Sequence, residues 1–316
     1  AKNSEKKVKI TPLGNYFLSE NYDLGKLFFF HFLKWQLPNP ESRNFSGKKG
    51  FSIKPFIGTL HLINEVNHKW KELGKEPIGI SKEEFALFVP TLIDHRKKKK
   101  QADAVIEYRV GLRTSNGEKA KRNFKRKYRK GFAKKFLGTN NKSEIDKLLQ
   151  NLVDYGDNTI RYFRLTRYLH IRGGGFYVDI EPRRSIEIEK LLKTDNAAPL
   201  EFKTSEAYVT YIADLEQPVL PWETKSELQK IANNLAQDVE SYTASLKSKS
   251  IKTPAFTFLE VRSLDKQKLK SYIEDLRTHR WRLQELEVHF KSQDISTIQE
   301  YIDALKKIHQ LDKKKG

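Results

Sequence analysis

The chain has 316 residues, of which 38% are apolar, 11% aromatic and 32% charged, with only 16 Gly and 11 Pro. That is the composition of a folded chain, and the length suits two or three domains, because one hydrophobic core rarely serves more than about 250 to 300 residues. No apolar run approaches the roughly 18 to 20 residues of a membrane-spanning helix. The longest, Leu27 to Leu33, is interrupted by His31, and no signal-peptide pattern follows the Lys-rich start, so a soluble, intracellular protein is expected. With no Cys, disulfides, Cys-based zinc sites and thiol catalysis are excluded, and the eight His residues show no HExxH spacing. The absence of Met is stranger, and the sequence offers no reason for it. The charge of +20 is concentrated: residues Arg96 to Phe136 hold 17 basic and 3 acidic residues. A stripe of that density is the footprint of a polyanionic partner.

In chain order, residues 8–18 read as a short strand entering a helix at Thr11-Pro12, with Thr11 as N-cap and Pro12 in the first helical position. Leu24, Leu27, Phe28, Phe32 and Trp35 keep helical spacing up to Pro38-Asn39-Pro40. After a polar loop, Pro55 opens a helix whose face carries Phe56, Leu60, Ile63 and Val66. Ser81-Lys82-Glu83-Glu84 is a capping-box start for a third helix, so helix, turn and capped helix form a helix-turn-helix arrangement.

Next comes the run Arg96, Lys97, Lys98, Lys99 and Lys100, and then an amphipathic stretch from Lys119 to Leu137. Its Phe124, Tyr128, Phe132 and Phe136 recur every four residues and predict an aromatic seam with a cationic back that carries Lys121, Arg122, Lys125, Arg126 and Arg129. A helix face follows at Ile145, Leu148, Leu149 and Leu152. Tyr155-Gly156-Asp157 reads as a turn into a new helix from Asn158 to Leu169. Two short strands flanking Gly173-Gly174-Gly175 read as a β-hairpin, and a helix continues over residues 186–192. Helix, turn, helix, hairpin is the order of a winged helix. Further helices are predicted from a start at Leu220-Pro221-Trp222-Glu223-Thr224 to about Leu246, over Leu264 to Phe290 and over Ile295 to Leu311.

The fold expected is mainly α with short β-hairpins. Two winged-helix-like subdomains over residues 1–95 and 96–193 precede a helical linker domain over 194–316. Arg161, Arg164 and Arg167 recur every third residue beside Asn158, while Ile160, Phe163 and Tyr168 can face the core. Arg reads guanine and Asn reads adenine through paired hydrogen bonds in the major groove, which makes these four the candidate base readers. Arg172, the run Arg96 to Lys100, the cations of the aromatic seam, and Ser81 with Lys82 are candidates for the wing and for backbone phosphates. The bland alternative is that the arginines only pair with Asp154, Asp157 or Glu181. No residue here is a convincing metal ligand or catalyst: Asp179-Ile180-Glu181 lacks the following Lys of a Mg²⁺ nuclease, and Glu260-Val261-Arg262 has Arg in its place.

Four stretches in order, Leu33-Lys34-Trp35-Gln36, Ile80 to Phe88, Arg161-Tyr162-Phe163-Arg164-Leu165-Thr166, and Leu220-Pro221-Trp222-Glu223-Thr224-Lys225, resemble the AlwI family of type IIS restriction and nicking endonucleases. The resemblance implies winged-helix-like subdomains that bind a short asymmetric duplex DNA site, and a bacterial cytoplasmic setting. It also implies a helical linker and a separate Mg²⁺-dependent nuclease domain, expected to begin where this chain ends at Lys313-Lys314-Lys315-Gly316. On that reading the chain itself needs no cofactor, and its partners are double-stranded DNA and a nuclease domain or second cleavage subunit. A winged-helix transcription regulator and an RNA-binding protein remain alternatives.

Overall fold

The computed structural model describes residues 10–42, 50–215 and 217–291, together with Asp303 and Lys306. The chain divides into two compact units, Ala1–Leu220 and Pro221–Gly316.

The first unit begins with α1 (Pro12–Leu18), where the Thr11 hydroxyl accepts the Gly14 amide at 3.1 Å, as its sequence predicts. The strand expected before it falls largely on residues outside those described. Asp23 caps α2 (Leu24–Lys34), and α3 (Pro55–Glu72) is opened by Pro55. Phe56, Ile57, Leu60, Leu62, Ile63 and Val66 of α3 are fully buried, and each such side chain contributes about 1.5–3 kcal/mol relative to exposure. Strand β1 (Ile80–Ser81) leads directly into α4 (Lys82–Phe88). The predicted capping box is present: the Ser81 hydroxyl accepts the Glu84 amide at 3.2 Å, and the Glu84 carboxylate accepts the Ser81 amide at 2.7 Å.

Helices α5 (Lys98–Thr114) and α6 (Glu118–Leu137) follow. The aromatic seam of α6 faces inward as predicted. Phe124 and Tyr128 pack on Tyr108, Phe132 meets Phe88 edge-on with ring centroids 5.1 Å apart, and the Tyr128 hydroxyl donates to the Ala104 carbonyl at 3.0 Å. On the other side of Tyr108, α4 is tied to α5 by a buried ion pair. Arg109 donates from Nε to Glu84 Oε1 at 2.9 Å, and from its NH2 to Glu84 Oε2 at 2.7 Å and to the Gly79 carbonyl at 2.8 Å.

One prediction is corrected in α7, which runs unbroken from Lys142 to Leu165. Gly156 is not in a turn. It lies within the helix where α4 crosses α7, so closely that a Cβ at Gly156 would lie 2.6 Å from Ala86 Cα and 2.8 Å from its Cβ. The glycine serves a close helix contact, which composition alone cannot distinguish from a turn. The helix also ends at Leu165 rather than Leu169: the Thr166 hydroxyl donates back to the Phe163 carbonyl at 2.6 Å, and Arg167 takes φ 63°. A second difference is that α4 packs chiefly on α7, not on the helix before it.

Phe163 of α7 joins Phe32 and Phe56 in an edge-to-face cluster with centroids 5.0 and 5.1 Å apart, and Tyr168 stacks on Phe29 at 3.9 Å. Together these rings fix α7 against α2 and α3. Beyond α7, β2 (Leu169–Arg172) and β3 (Tyr177–Ile180) form the predicted hairpin around Gly173–Gly175. The sheet has the order β1-β3-β2 and is antiparallel throughout, with Ile80 opposite Val178 and Ile171 also opposite Val178. Helices α8 (Ser185–Thr194) and α9 (Ser205–Ala213) complete the unit, so residues 195–220 cluster with the first unit.

In the second unit, Thr224 caps α10 (Lys225–Ser248) by accepting the Glu227 amide at 3.2 Å. Leu228, Ile231, Leu235 and Val239 of α10 and Leu269, Ile273, Leu276 and Leu283 of α11 (Lys266–Lys291) are buried where the two helices pack together. The helix predicted over residues 295–311 lies outside the described residues, apart from Asp303 and Lys306, which are helical.

Candidate nucleic-acid interface

The C-terminal half of α7 has two faces. Ile160 and Phe163 are buried, whereas Asn158, Arg161, Tyr162 and Arg164 are exposed. Arg161 pairs with Asp157 one turn earlier at 2.7 Å, an exposed contact worth a few tenths of a kcal/mol that a phosphate or base edge can displace. Among the described residues Arg164 has no carboxylate partner. Arg167 does not share their face. It lies beyond the helix end and turns back to α2, with its NH1 3.1 Å from Asp23 Oδ2. Its side chain covers Gly25 so closely that a Cβ there would be 2.8 Å from the Arg167 Nε. The three-residue spacing of the arginines assumed a helix that continued to Leu169; the left-handed backbone at Arg167 breaks it.

The basic run is divided by its acidic neighbours. Arg96 donates twice to Asp94, at 3.0 and 2.9 Å, and this hydrogen bonding holds the Asp94 carboxyl down at about 2. Lys97 is 4.0 Å from the same carboxylate. Lys98 donates to the Asn196 carbonyl at 2.6 Å, which leaves Lys99 and Lys100 as the exposed, uncommitted members. On α6, Lys121 pairs with Glu118 at 3.3 Å, Lys125 with Glu83 at 2.5 Å, and Arg126 reaches the Asn123 side chain at 3.5 Å. Arg122 is exposed and Arg129 half-buried. Exposed Lys127, Lys134 and Lys135 extend the same cationic surface.

Ser81 is buried, and its hydroxyl oxygen accepts the Glu84 amide in the α4 cap, so it lies off the exposed surface. Lys82 is exposed, and its amide donates to the Phe176 carbonyl at 2.9 Å beside the hairpin tip. Arg172 is held from within: its NH1 donates to Asp179 Oδ2 at 2.7 Å and to the Pro77 carbonyl at 3.0 Å. Asp179 Oδ1 also accepts from Asn67 Nδ2 at 2.8 Å, and Asn67 Oδ1 accepts the Gly79 amide at 2.8 Å. This network anchors the hairpin to α3. Three exposed aromatics lie outside the contacts expected from the sequence, although Tyr162 belongs to the stretch that carries the family resemblance: Tyr155 and Tyr162 on α7, 52% and 55% exposed, and Phe176 at the hairpin tip, 56% exposed. A spacing of seven places both tyrosines off the buried face of Leu152, Ile160 and Phe163, a signal the sequence contained.

Among the described residues no group of three or more His, Asp or Glu side chains is arranged to hold a metal. The pair Asp179 and Glu181 is engaged by Arg172 and by Arg183, which donates to Glu181 at 2.7 and 3.1 Å. No helix among the described residues is long and apolar enough to cross a membrane.

A search of curated proteins finds no match. The family model described as AlwI restriction endonuclease matches residues 1–316. The sequence resemblance and this match agree, and the chain belongs to the AlwI restriction endonuclease family.

Proposed function

We propose that this chain is the DNA-recognising part of a type IIS restriction or nicking endonuclease and that it reads a short asymmetric duplex site. Membership of a restriction endonuclease family makes DNA the substrate class. The order α3, β1, α4, α7, β2, β3, with the sheet arranged β1-β3-β2, supports a winged-helix reading, in which α5 with α6 is an insertion between the second and third helices. On this plan α7 is the recognition helix and the Gly173–Gly175 hairpin is the wing. The observation that carries the reading is the exposed polar face Asn158, Arg161 and Arg164, on the helix directly before the hairpin, backed by buried Ile160 and Phe163. Asn158, Arg161 and Arg164 then read base edges in the major groove, while Lys99, Lys100 and the outer cations of α6 meet phosphates.

Cleavage is assigned to a Mg²⁺-dependent nuclease domain or second subunit; the acidic pair Asp179 and Glu181 is held in ion pairs with Arg172 and Arg183. The second unit, α10 and α11, serves as the helical linker. Selection from a randomised duplex library tests the reading. An enriched asymmetric site supports it, an inverted repeat supports a dimeric transcription regulator, and preferential binding of matched RNA overturns the duplex reading.

A further inference from the structure

The wing tip has an unusual composition. Gly173, Gly174 and Gly175 all take left-handed backbone angles, with φ 58°, 64° and 96°, so a side chain at any of them is strained. A Cβ on Gly174 would meet nothing within 4 Å. The tip is therefore a bare strip of backbone carrying one large side chain, Phe176, which is 56% exposed although Leu169 and Val178 of the same hairpin are buried.

Phe176 is also held in place. Its amide donates to the Arg172 carbonyl at 3.1 Å and to the Gly173 carbonyl at 3.3 Å, and its own carbonyl accepts the Lys82 amide at 2.9 Å. Its ring meets Tyr177 edge-on, with centroids 4.8 Å apart at 73°. The hairpin below is fixed by the network of Arg172, Asp179 and Asn67. An exposed aromatic ring on an ordered backbone has already lost the freedom that binding would otherwise cost. The Lys82 ammonium lies 4.0 Å from where a Cβ on Gly175 would stand, which sets a cation beside the glycine tip.

We propose that Phe176 is an apolar wedge which the bare hairpin tip carries into the minor groove of duplex DNA, where the ring lodges between two base pairs. The minor groove is about 6 Å wide, too narrow for a helix but open to a glycine backbone with a single ring. Lys82 then meets a phosphate at the groove edge, and the kink opened by the wedge brings the flanking DNA toward the cations of α6. This inference rests on the proposed duplex recognition and assigns the wing its own task within it.

The test uses the full chain and the duplex it enriches from a randomised library, with 2-aminopurine substituted in turn at each step under the wing. Phe176→Ala is expected to weaken binding about 10-fold, the value of roughly one base–aromatic stack, and to abolish the fluorescence rise that reports unstacking. Phe176→Leu should retain most of that rise. Arg164→Ala should keep the rise while losing base preference. Because the ring is exposed, Phe176→Ala should melt at the wild-type temperature. Wild-type affinity and an unchanged fluorescence rise in Phe176→Ala would overturn the wedge and leave the DNA reading intact. A wild-type chain that binds no duplex would overturn both.

Discussion

The crossing of α4 and α7 places the proposed recognition helix, and Gly156 is where that crossing can be tested. In Gly156→Ala the new methyl carbon would lie 2.6 Å from Ala86 Cα and 2.8 Å from Ala86 Cβ, backbone and a short stem that cannot rotate away. Relief requires the helices to part by somewhat under about 1 Å, a typical overpacking event costing about 1–3 kcal/mol. Against it stands the gain of about 1 kcal/mol from replacing a helical glycine by alanine. Gly131 supplies the control, since it lies within α6 and a Cβ there would touch nothing within 4 Å. Gly131→Ala is therefore expected to stabilise the first unit by about 0.5–1 kcal/mol. Gly156→Ala should fall below it by about 1–3 kcal/mol, the isolated packing cost. Urea unfolding followed by far-ultraviolet circular dichroism measures both. If the two variants stabilise alike, α7 does not cross α4 as closely as described, and the placement of the Asn158–Arg164 face loses its support.

Other consequences can be checked separately. Arg109→Ala leaves the Glu84 carboxylate buried without its cation, which should cost about 3–5 kcal/mol in the same unfolding assay; a loss below about 1 kcal/mol would mean that water reaches the pair. Arg164→Ala is expected to lose about 1–3 kcal/mol on the selected duplex and to relax one base position. Joint replacement of Lys99, Lys100, Lys127 and Lys134 by Gln should instead weaken all duplexes alike and flatten the salt dependence; equal, sequence-independent losses from both changes would refute the division of roles. Lys34 is buried on α2, donating to the Asp214 carbonyl and lying near the Tyr211 ring, and burial lowers its pKa to about 8. Below about pH 8 the folded chain bears the full cost of that charge. Between about 8 and the ordinary lysine value of 10.5 the unfolded chain binds more protons, so stability should rise with pH. Burial raises the Tyr211 pKa to about 12, which reverses the trend only at higher pH. Burial also lowers the Lys98 pKa, so Lys34→Met should reduce the rise in the urea midpoint without removing it; an unchanged rise would assign it to another group.

The features legible in the sequence are those fixed by a few neighbouring residues. Thr11, Ser81 and Thr224 cap helices through their own hydroxyls, so a local pattern identifies each. The glycine run gives the hairpin, and the four-residue recurrence of Phe124, Tyr128 and Phe132 gives the inward, half-buried face of α6, because both depend on local geometry. What the sequence hides depends on distant partners. Gly156 resembles a turn until Ala86 is seen beneath it, and Arg167 resembles a base reader until Asp23 is found at its end. Ile80 gives no sign that its partner is Val178. The cation run shows the same limit. Five consecutive basic residues look equivalent in the sequence, yet Arg96 is held by Asp94 and Lys98 by the Asn196 carbonyl, so only part of that charge faces outward uncommitted.

The central claim is that the exposed face of α7 reads duplex sequence. The most direct measurement is the affinity of wild-type and Arg164→Ala chains, at one fixed salt concentration, for the selected duplex and for its variants at each base pair. Strong discrimination by the wild-type chain is expected, lost at one position in Arg164→Ala while binding to unrelated DNA is unchanged. Equal affinity of the wild-type chain for every duplex, or a discrimination pattern unaltered by Arg164→Ala, would contradict it.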